Sequence, residues 1–393
     1  MKGFFKKENL KKSASNCSKC KLHKECNTPY IGVAGEGKKS ILIINESPEK
    51  DKKGKLLQGE SIEILREAFN EYGIDIDVDC WVTNAVSCRP PKGRAPHKRE
   101  VKMCNPRVQK VVEELKPKMI FLLGSSALDS FLMDKIKGSS GGIDKWRGFV
   151  IPDQVTKAWI IPLYHPTFVR DFKKKKKIVP KIFEQDIGRG LRKIKERCHV
   201  FNHKVEVLSQ DNARHMLKTL LDNPPPKMLA FDYETTGIKP YKEGHEIICV
   251  GVCCSDIAYV FLLDDKRVLS YWKKILRTRS IPKTAQNIKF EHVWSRVILG
   301  TIVKGWKHDT MQASHIIDNR KGITGLKFQS YIRFGQGDYS SHLDKYIKTT
   351  GEEEFNTIRD APMNEVYKYC AMDAILEYKL AILQMEGEGI FNE

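Results

Sequence analysis

The chain has 393 residues, 41% of them hydrophobic, and a formal net charge of +19. This length suits two domains that each bury a core, and no apolar run approaches the length of a membrane span, which argues against a membrane protein. Because the charge excess is large and positive, we expect a polyanionic partner such as nucleic acid.

The cysteine content predicts a reducing compartment. Eleven cysteines, an odd number, occur in a chain whose first ten residues form no hydrophobic signal region. Under these conditions cysteines bind metal or pack in the core more often than they form disulfides. We therefore expect an intracellular, cytoplasmic protein, in the host cytoplasm if the source is viral.

Four apolar segments in the first half of the chain predict strands: residues 41–44, 81–83, 119–123 and 159–163. Helical patterns lie between them, and the clearest covers residues 61–72. Alternating strands and helices predict an α/β domain with a mostly parallel sheet, whose ligand site lies beyond the carboxyl ends of the strands.

Polar residues follow three of these strands. Glu46, Asn84 and His165 are expected to converge at the edge where parallel strands end. A packed histidine after a strand would be the ordinary interpretation of His165 alone. The neighbouring Tyr-His-Pro-Thr sequence and Arg170 favour a functional role instead.

Two cysteine pairs accompany this pattern. Cys17 and Cys20 form a C-x-x-C motif, which zinc and redox chemistry both explain, and Cys88 and Cys104 lie sixteen positions apart. The second pair follows Trp-Val-Thr-Asn-Ala-Val-Ser in the sequence, and a Gly-Val-Ala-Gly-Glu-Gly segment precedes the first strand. Over roughly residues 14–195, this set resembles the family 4 uracil-DNA glycosylases, the iron–sulfur type.

The resemblance implies a [4Fe-4S] cluster on Cys17, Cys20, Cys88 and Cys104, although four thiolates suit zinc nearly as well. Cys26 does not match the spacing of a fifth ligand. The other cysteines are expected to be ordinary buried thiols: Cys80, Cys198, Cys249, Cys253, Cys254 and Cys370.

The resemblance also implies roles for site residues. Asn84 would read the uracil edge, His165 would stabilise charge on the departing base, and Glu46 and Asp51 would lie in the loop that positions water. That loop has lost two glycines, and Leu57 replaces an aromatic residue whose stacking contributes about 1–3 kcal/mol per base. Uracil excision, uracil or DNA binding without cleavage, and action on another damaged base remain open.

A basic amphipathic helix predicted at residues 183–197 closes the first domain. We therefore predict domains at residues 1–200 and 201–393. The five lysines at residues 173–177 fit a solvated linker and a phosphate contact equally well.

The second half is organised around acidic residues. An apolar strand ending in a Thr-Thr-Gly turn carries Asp232 and Glu234 on one side, because alternate residues of a strand share a face. Further along, an N-x-x-F-acid pattern ends at Glu291. Tyr369 and Asp373, four residues apart in a helical pattern, share a helix face.

This set resembles the DEDDy 3′→5′ exonucleases, with the proofreading domain of family A DNA polymerases as the nearest type, over roughly residues 204–385. The resemblance implies a ribonuclease H-like fold and two Mg²⁺ or Mn²⁺ ions. Asp232 would bridge the ions, Glu234 and Asp373 would hold the ion on the nucleophile side, and Tyr369 would orient the water. Glu291 would serve the second ion, although the family usually has aspartate there.

Asp309 is a further acid in this half, and a structural cap explains it better than a ligand role. We expect a 3′→5′ exonuclease on single-stranded or frayed DNA, fused to a uracil-DNA glycosylase-like domain, as in the front part of phage-type replicative polymerases. The sequence ends twenty residues after Asp373, so we expect any polymerase partner on a separate chain. RNA as the substrate, a free-standing repair role, and a DNA-binding scaffold with inactive sites remain alternatives.

Overall fold

The computed structural model describes residues 17, 19–26, 29–48, 59–136, 140–172 and 178–387. The chain divides into two compact units. The first contains residues 1–200 and Tyr331–Gly337, and the second contains Phe201–Ser330 and Asp338–Glu393. Among the described residues, no helix combines the length and apolar character needed to cross a membrane.

A five-stranded sheet forms the centre of the first unit. Its strands are β1 (Ile41–Asn45), β2 (Cys80–Asn84), β3 (Met119–Leu123), β4 (Ile151–Asp153) and β5 (Ala158–Leu163), in the order β2-β1-β3-β5-β4. Neighbouring strands are parallel except β4, which pairs antiparallel with β5. The sequence did not predict β4, because three residues including a proline are too few to show a periodic pattern.

Helices cover both faces of this sheet. They are α1 (Leu22–Glu25), α2 (Glu60–Asn70), α3 (Ile76–Asp79), α4 (Lys98–Leu115), α5 (Gly124–Leu132), α6 (Ile143–Trp146), α7 (Pro166–Phe172) and α8 (Ile178–Arg192), with a 3₁₀ turn at Pro91–Gly93. The helix predicted at residues 183–197 begins earlier and ends at Arg192. Its buried face, which includes Phe183, Ile187 and Leu191, joins the core formed by β1, β3 and β5.

The segment Tyr331–Gly337 belongs to the first unit, which a single boundary at residue 200 does not predict. The hydroxyl of Tyr331 donates to Asp153 Oδ1 at 2.9 Å, and the Gln154 N–H donates to the Gly335 carbonyl at 3.3 Å. Asp153 is fully buried and also accepts from Lys135 Nζ at 3.0 Å, so this segment completes a buried polar network.

A mixed six-stranded sheet forms the second unit. Its strands are β6 (Lys204–Val207), β7 (Leu229–Thr235), β8 (Ile247–Cys253), β9 (Ile257–Phe261), β10 (Lys283–Ala285) and β11 (Trp306–Asp309), in the order β11-β10-β7-β8-β9-β6. The pairs β7–β8 and β8–β9 are antiparallel, and the others are parallel. Its helices are α9 (Gln210–Asp222), α10 (Lys266–Arg277), α11 (Lys289–Val297), α12 (Thr310–Ile317), α13 (Leu326–Phe334), α14 (Asp344–Ile347) and α15 (Met363–Glu386), with a 3₁₀ turn at Ile358–Asp360. Helix α13 begins in this unit, and its residues from Tyr331 onward belong to the first unit.

The long helix α15 packs on β7 and β8. A Cβ atom at Gly251 of β8 would lie 2.6 Å from the carbonyl oxygen of Cys370, so only glycine permits this approach. The close packing brings the middle of α15 against the acidic face of β7.

Candidate active sites

Alternate residues of strand β7 face the hydrophobic core on one side and the acidic site on the other. Phe231 and Tyr233 pack in the core, and the Tyr233 hydroxyl is hydrogen bonded to Ser295 Oγ at 2.9 Å and accepts from Trp272 Nε1 at 3.0 Å. These contacts hold the register of the strand, so the alternate residues Asp232 and Glu234 face the opposite side.

Helix α15 supplies the facing residues. Asp373 is buried and accepts hydrogen bonds from the hydroxyls of Tyr339 and Tyr369. The rings of these two tyrosines lie 5.9 Å apart. Glu291 is contributed by α11 and is only 2% exposed. The structure therefore brings together all five residues that the sequence predicted for this site.

The electrostatics show that these acids repel one another. Burial, followed by the charge of Asp373, raises the pKa of Asp232 well above its usual value. Burial and then the charge of Asp232 raise the pKa of Glu234 and of Glu291 in the same way. Burial also raises the pKa of Asp373, although its hydrogen bond from Tyr339 and the charge of Lys327 oppose this shift.

Several carboxylate oxygens in this site lack a protein partner. Asp232 Oδ2 and Glu291 Oε2 are buried without a hydrogen bond within the described part of the chain. One oxygen each of Asp232 and Glu234 and the sulfur of Cys370 lie within 4.8 Å of one another. Buried, unpaired carboxylates are costly unless a cation binds them, and hard divalent cations prefer oxygen ligands, so these residues fit Mg²⁺ or Mn²⁺.

Cys370 is buried, as expected, but it lies beside the acids rather than in an unrelated part of the core. Its thiol donates to the Asp232 carbonyl oxygen at 3.6 Å. Burial raises its pKa well above the usual value, so it remains a neutral thiol that packs under the strand.

Asp309 has the structural role that its sequence context favoured. It caps α12 by accepting from the Met311 and Gln312 N–H groups, at 3.0 and 3.1 Å. It also accepts from the Asn287 and Ile288 N–H groups at 3.2 and 3.0 Å. Asp309 therefore anchors the turn that leads into α11, the helix that carries Glu291.

Sequence reasoning missed three residues at this site. Tyr339 donates to Asp373, and Lys327 lies with its ammonium group 5.1 Å from the centre of the Tyr369 ring. Glu377 is buried on α15, four residues after Asp373. Helical spacing could have revealed Glu377, whereas no local pattern marks Tyr339 or Lys327.

The first unit also collects polar residues at one sheet edge. Asn84 ends β2, Asn45 ends β1, and His165 follows β5, so all three lie at the carboxyl ends of parallel strands. Glu46 follows β1 and accepts from Ser126 Oγ of α5 at 3.0 Å. Burial raises the pKa of Glu46 despite this hydrogen bond.

His165 is held as a neutral imidazole with its proton on Nε2. The Thr167 N–H donates to His165 Nδ1 at 3.2 Å, so Nδ1 carries no proton. The Nε2–H then donates to Asn45 Oδ1 at 2.9 Å. Burial lowers the pKa of His165 to about 4, in agreement with this tautomer.

The Asn84 side chain is presented without a partner. It is fully buried, and neither its amide nitrogen nor its oxygen makes a hydrogen bond within the described residues. Its backbone is anchored by Arg107, whose guanidinium donates to the Asn84 carbonyl oxygen and to Thr83 Oγ1, the latter at 3.0 Å. An unpaired amide of this kind can form hydrogen bonds with the edge of a base.

Five cysteines are near one another in this unit. Burial raises the pKa of Cys88 to about 12, and the charges of Cys26 and Cys104 add to this rise. A backbone hydrogen bond involving Tyr30 acts in the opposite direction. Burial, with the charges of Cys104 and Cys17, raises the pKa of Cys20. The guanidinium of Arg107 donates a hydrogen bond to the sulfur of Cys104. Cys26, which the spacing left out, therefore lies beside the predicted set. Asp51, Leu57 and the lysine run at 173–177 fall outside the described residues.

Comparisons with known proteins assign both units. Residues 33–185 match the uracil DNA glycosylase superfamily, and residues 204–384 match a 3′-5′ exonuclease family. A type-4 uracil-DNA glycosylase of Thermotoga maritima is 33% identical over 166 residues, which cover 41% of this chain and 82% of that protein. A DNA polymerase of Bacillus phage SP01 is 25% identical over 389 residues, which cover 91% of this chain but only 41% of the polymerase.

Among solved structures, Brucella melitensis NrnC bound to pGG matches with a TM-score of 0.33 and 18% identity, over 47% of this chain and 80% of that one. RNase D of Trypanosoma brucei in complex with RNA U12 matches with a TM-score of 0.40 and 13% identity, over 48% and 65% of the two chains. The chain belongs to the type-4 uracil-DNA glycosylase family through its first unit, and its second unit is a 3′-5′ exonuclease domain.

Proposed function

We propose that the protein is a metal-dependent 3′→5′ exonuclease that acts on single-stranded or frayed DNA ends. The observation that carries this proposal is the set of buried, unpaired carboxylate oxygens on β7 and α11, opposite Tyr369 and Asp373 of α15. Two divalent cations bound there would supply an activated water and neutralise the leaving oxygen of a phosphodiester.

The side chains divide this work between them. Asp232 is proposed to contact both ions, with Glu234 and Asp373 as ligands on the nucleophile side and Glu291 as a ligand on the other side. The hydroxyl of Tyr369, held beside Asp373, orients the attacking water. When Asp373 binds a metal ion, it would give up hydrogen bonds from its tyrosine donors. Ion binding would therefore change the position of Tyr369.

The proposal is tested by replacing Asp232 with alanine and following digestion of a 5′-labelled DNA strand with Mn²⁺. We expect activity to disappear, because the proposed bridging ligand is lost. The matched control replaces Asp222, an exposed acid at the end of α9, and should retain full activity. Digestion by the Asp232→Ala protein would refute the site.

DNA is proposed over RNA because a relative that aligns with 91% of this chain is a DNA polymerase. The carboxylates bind phosphates and do not read the sugar, so RNA remains the rival substrate. Paired DNA and RNA oligonucleotides of one sequence decide between them. Faster digestion of the RNA strand would overturn the DNA assignment.

For the first unit we propose uracil recognition at the sheet edge that holds Asn84 and His165. The specific observation that favours recognition over excision is that Asn45 accepts the Nε2–H of His165, which leaves that proton unavailable to a departing base. A strand with one uracil, incubated in EDTA and then heated in alkali, provides the test. An intact strand that still binds uracil DNA more tightly than thymine DNA supports this proposal, whereas a cut at the uracil shows excision.

We further propose a [4Fe-4S] cluster on Cys17, Cys20, Cys88 and Cys104. The guanidinium of Arg107, which is hydrogen bonded to Cys104, suits an anionic cluster. Zinc is the rival occupant, because four thiolates bind it nearly as well as an iron–sulfur cluster. A colourless, zinc-containing protein would refute the cluster.

The two units are proposed to be separate domains, with the main boundary in the sequence near residue 200. The protein is proposed to work in the cytoplasm beside a separate DNA polymerase. Similarity to 41% of the length of a phage DNA polymerase supports this arrangement. Stimulation of the exonuclease by a polymerase, or co-purification with one, is the expected result. Without either, a free-standing repair nuclease is the better description.

A further inference from the structure

A fifth carboxylate lies at the exonuclease site. Glu377 follows Asp373 by four residues on α15, so the two side chains project from the same face of the helix. Glu377 is only 1% exposed, although glutamate is seldom buried without a partner. The four acids and the tyrosine of the proposed mechanism do not include it.

The surroundings of Glu377 are acidic. After burial, the charges that raise its pKa are those of Asp232, Glu291 and Asp373. A backbone contact with Gln286 lowers it, and no basic group is among these influences. Lys327 acts on Asp373 and Glu234 instead. The side of the site that holds Glu291 and Glu377 therefore has less compensating positive charge than the side that holds Glu234.

Hydrogen bonding also leaves Glu377 incomplete. Within the described part of the chain, Glu377 Oε2 is buried without a partner, as are Glu291 Oε2 and Asp232 Oδ2. Three buried oxygens on three carboxylates that influence one another electrostatically are unfavourable unless a cation binds them. Each belongs to a different element, β7, α11 or α15, so packing of the fold creates the cluster.

We propose that Glu377 is a fifth metal-ligating carboxylate, which with Glu291 and Asp232 binds the second divalent cation of the site. This inference rests on the proposed exonuclease function. Glu291 stands where a shorter aspartate is usual, and the arm of Glu377 is equally long. Two long carboxylates, one on α11 and one on α15, can hold an ion that a single aspartate would otherwise bind.

Binding of Mn²⁺ alone to the full-length protein tests the inference without relying on activity. Free Mn²⁺ is counted by electron paramagnetic resonance during titration, with no nucleic acid present. We expect the unsubstituted protein to bind two ions. Glu377→Gln should weaken the affinity for one ion at least tenfold and leave the affinity for the other unchanged. The control Glu365→Gln removes a half-exposed acid on the same helix, which pairs with Lys368, and should bind both ions normally.

Each outcome has a separate meaning. If Glu377→Gln binds both ions normally while Asp232→Asn does not, Glu377 is a structural residue and the inference is wrong, but the proposed function stands. If the unsubstituted protein binds no Mn²⁺, the proposed metal-dependent function fails as well. Should Glu377→Gln not fold, as judged by circular dichroism, Glu377→Asp serves instead. The shorter side chain of aspartate should also weaken the binding of one ion. Normal binding of both ions would overturn the inference.

Discussion

Replacing Asp232 with asparagine should stabilise the metal-free protein while it abolishes nuclease activity. In the metal-free state, Asp232 and Glu234 have oxygens within 4.8 Å of each other. At an effective dielectric constant of about 20, two unit charges at that separation repel by about 3 kcal/mol. Asparagine removes this repulsion, and its amide can donate to the remaining carboxylates. Because protonation already relieves part of the repulsion, we expect a gain of about 1–3 kcal/mol.

Thermal unfolding in EDTA measures this effect. For a domain of this size the gain corresponds to a rise in Tm of between about 2 and 12 °C. Addition of Mn²⁺ should raise the Tm of the unsubstituted protein and have little effect on the Asp232→Asn protein, because bound ligand stabilises only the folded state that binds it. The control Asp222→Asn changes an exposed acid and should unfold like the unsubstituted protein.

The pH dependence supplies a second check. The pKa of Asp232 is raised in the folded state, so the folded protein holds more protons than the unfolded one. The contribution of Asp232 to the stability of the second unit in EDTA should therefore be greatest at low pH and fall as the pH rises above about 4, and Asp232→Asn should remove this contribution. An unchanged or lower Tm in EDTA, with native circular dichroism, would show that these acids do not repel and would refute the reasoning.

Three further predictions concern the tyrosine and the first unit. Tyr369→Phe should lower kcat about tenfold or more in single-turnover digestion with little change in KM, because the hydroxyl acts on the water; a raised KM alone would contradict this role. Asn45→Gly should free the His165 Nε2–H and produce uracil release that the unsubstituted protein lacks, and equal release by both proteins would show that Asn45 is not restrictive. Because the pKa of His165 falls to about 4 on folding, stability should be lost as the pH drops below about 6.5, and His165→Gln should reduce this loss in acid unfolding curves.

Local periodicity made much of the exonuclease site predictable. Alternation along a strand requires Asp232 and Glu234 to share a face, and the helical repeat requires Tyr369 and Asp373 to do so. The same reasoning places Asn84 and His165 at one edge of a parallel sheet. These relations depend on backbone geometry over a few residues, and the amino-acid order contains that information directly.

Packing between distant elements decided the rest. Tyr339 and Asp373 are separated by 34 positions, and Asn45 and His165 by 120, so no local pattern connects either pair. Glu377 could be assigned to a helix face, but not to a cluster with Glu291, until α11 and α15 were seen beside β7. The sequence by itself determined which side chains share a face. Only the tertiary structure decided which faces meet and which buried oxygens are left without partners, because those properties arise from contacts between remote parts of the chain.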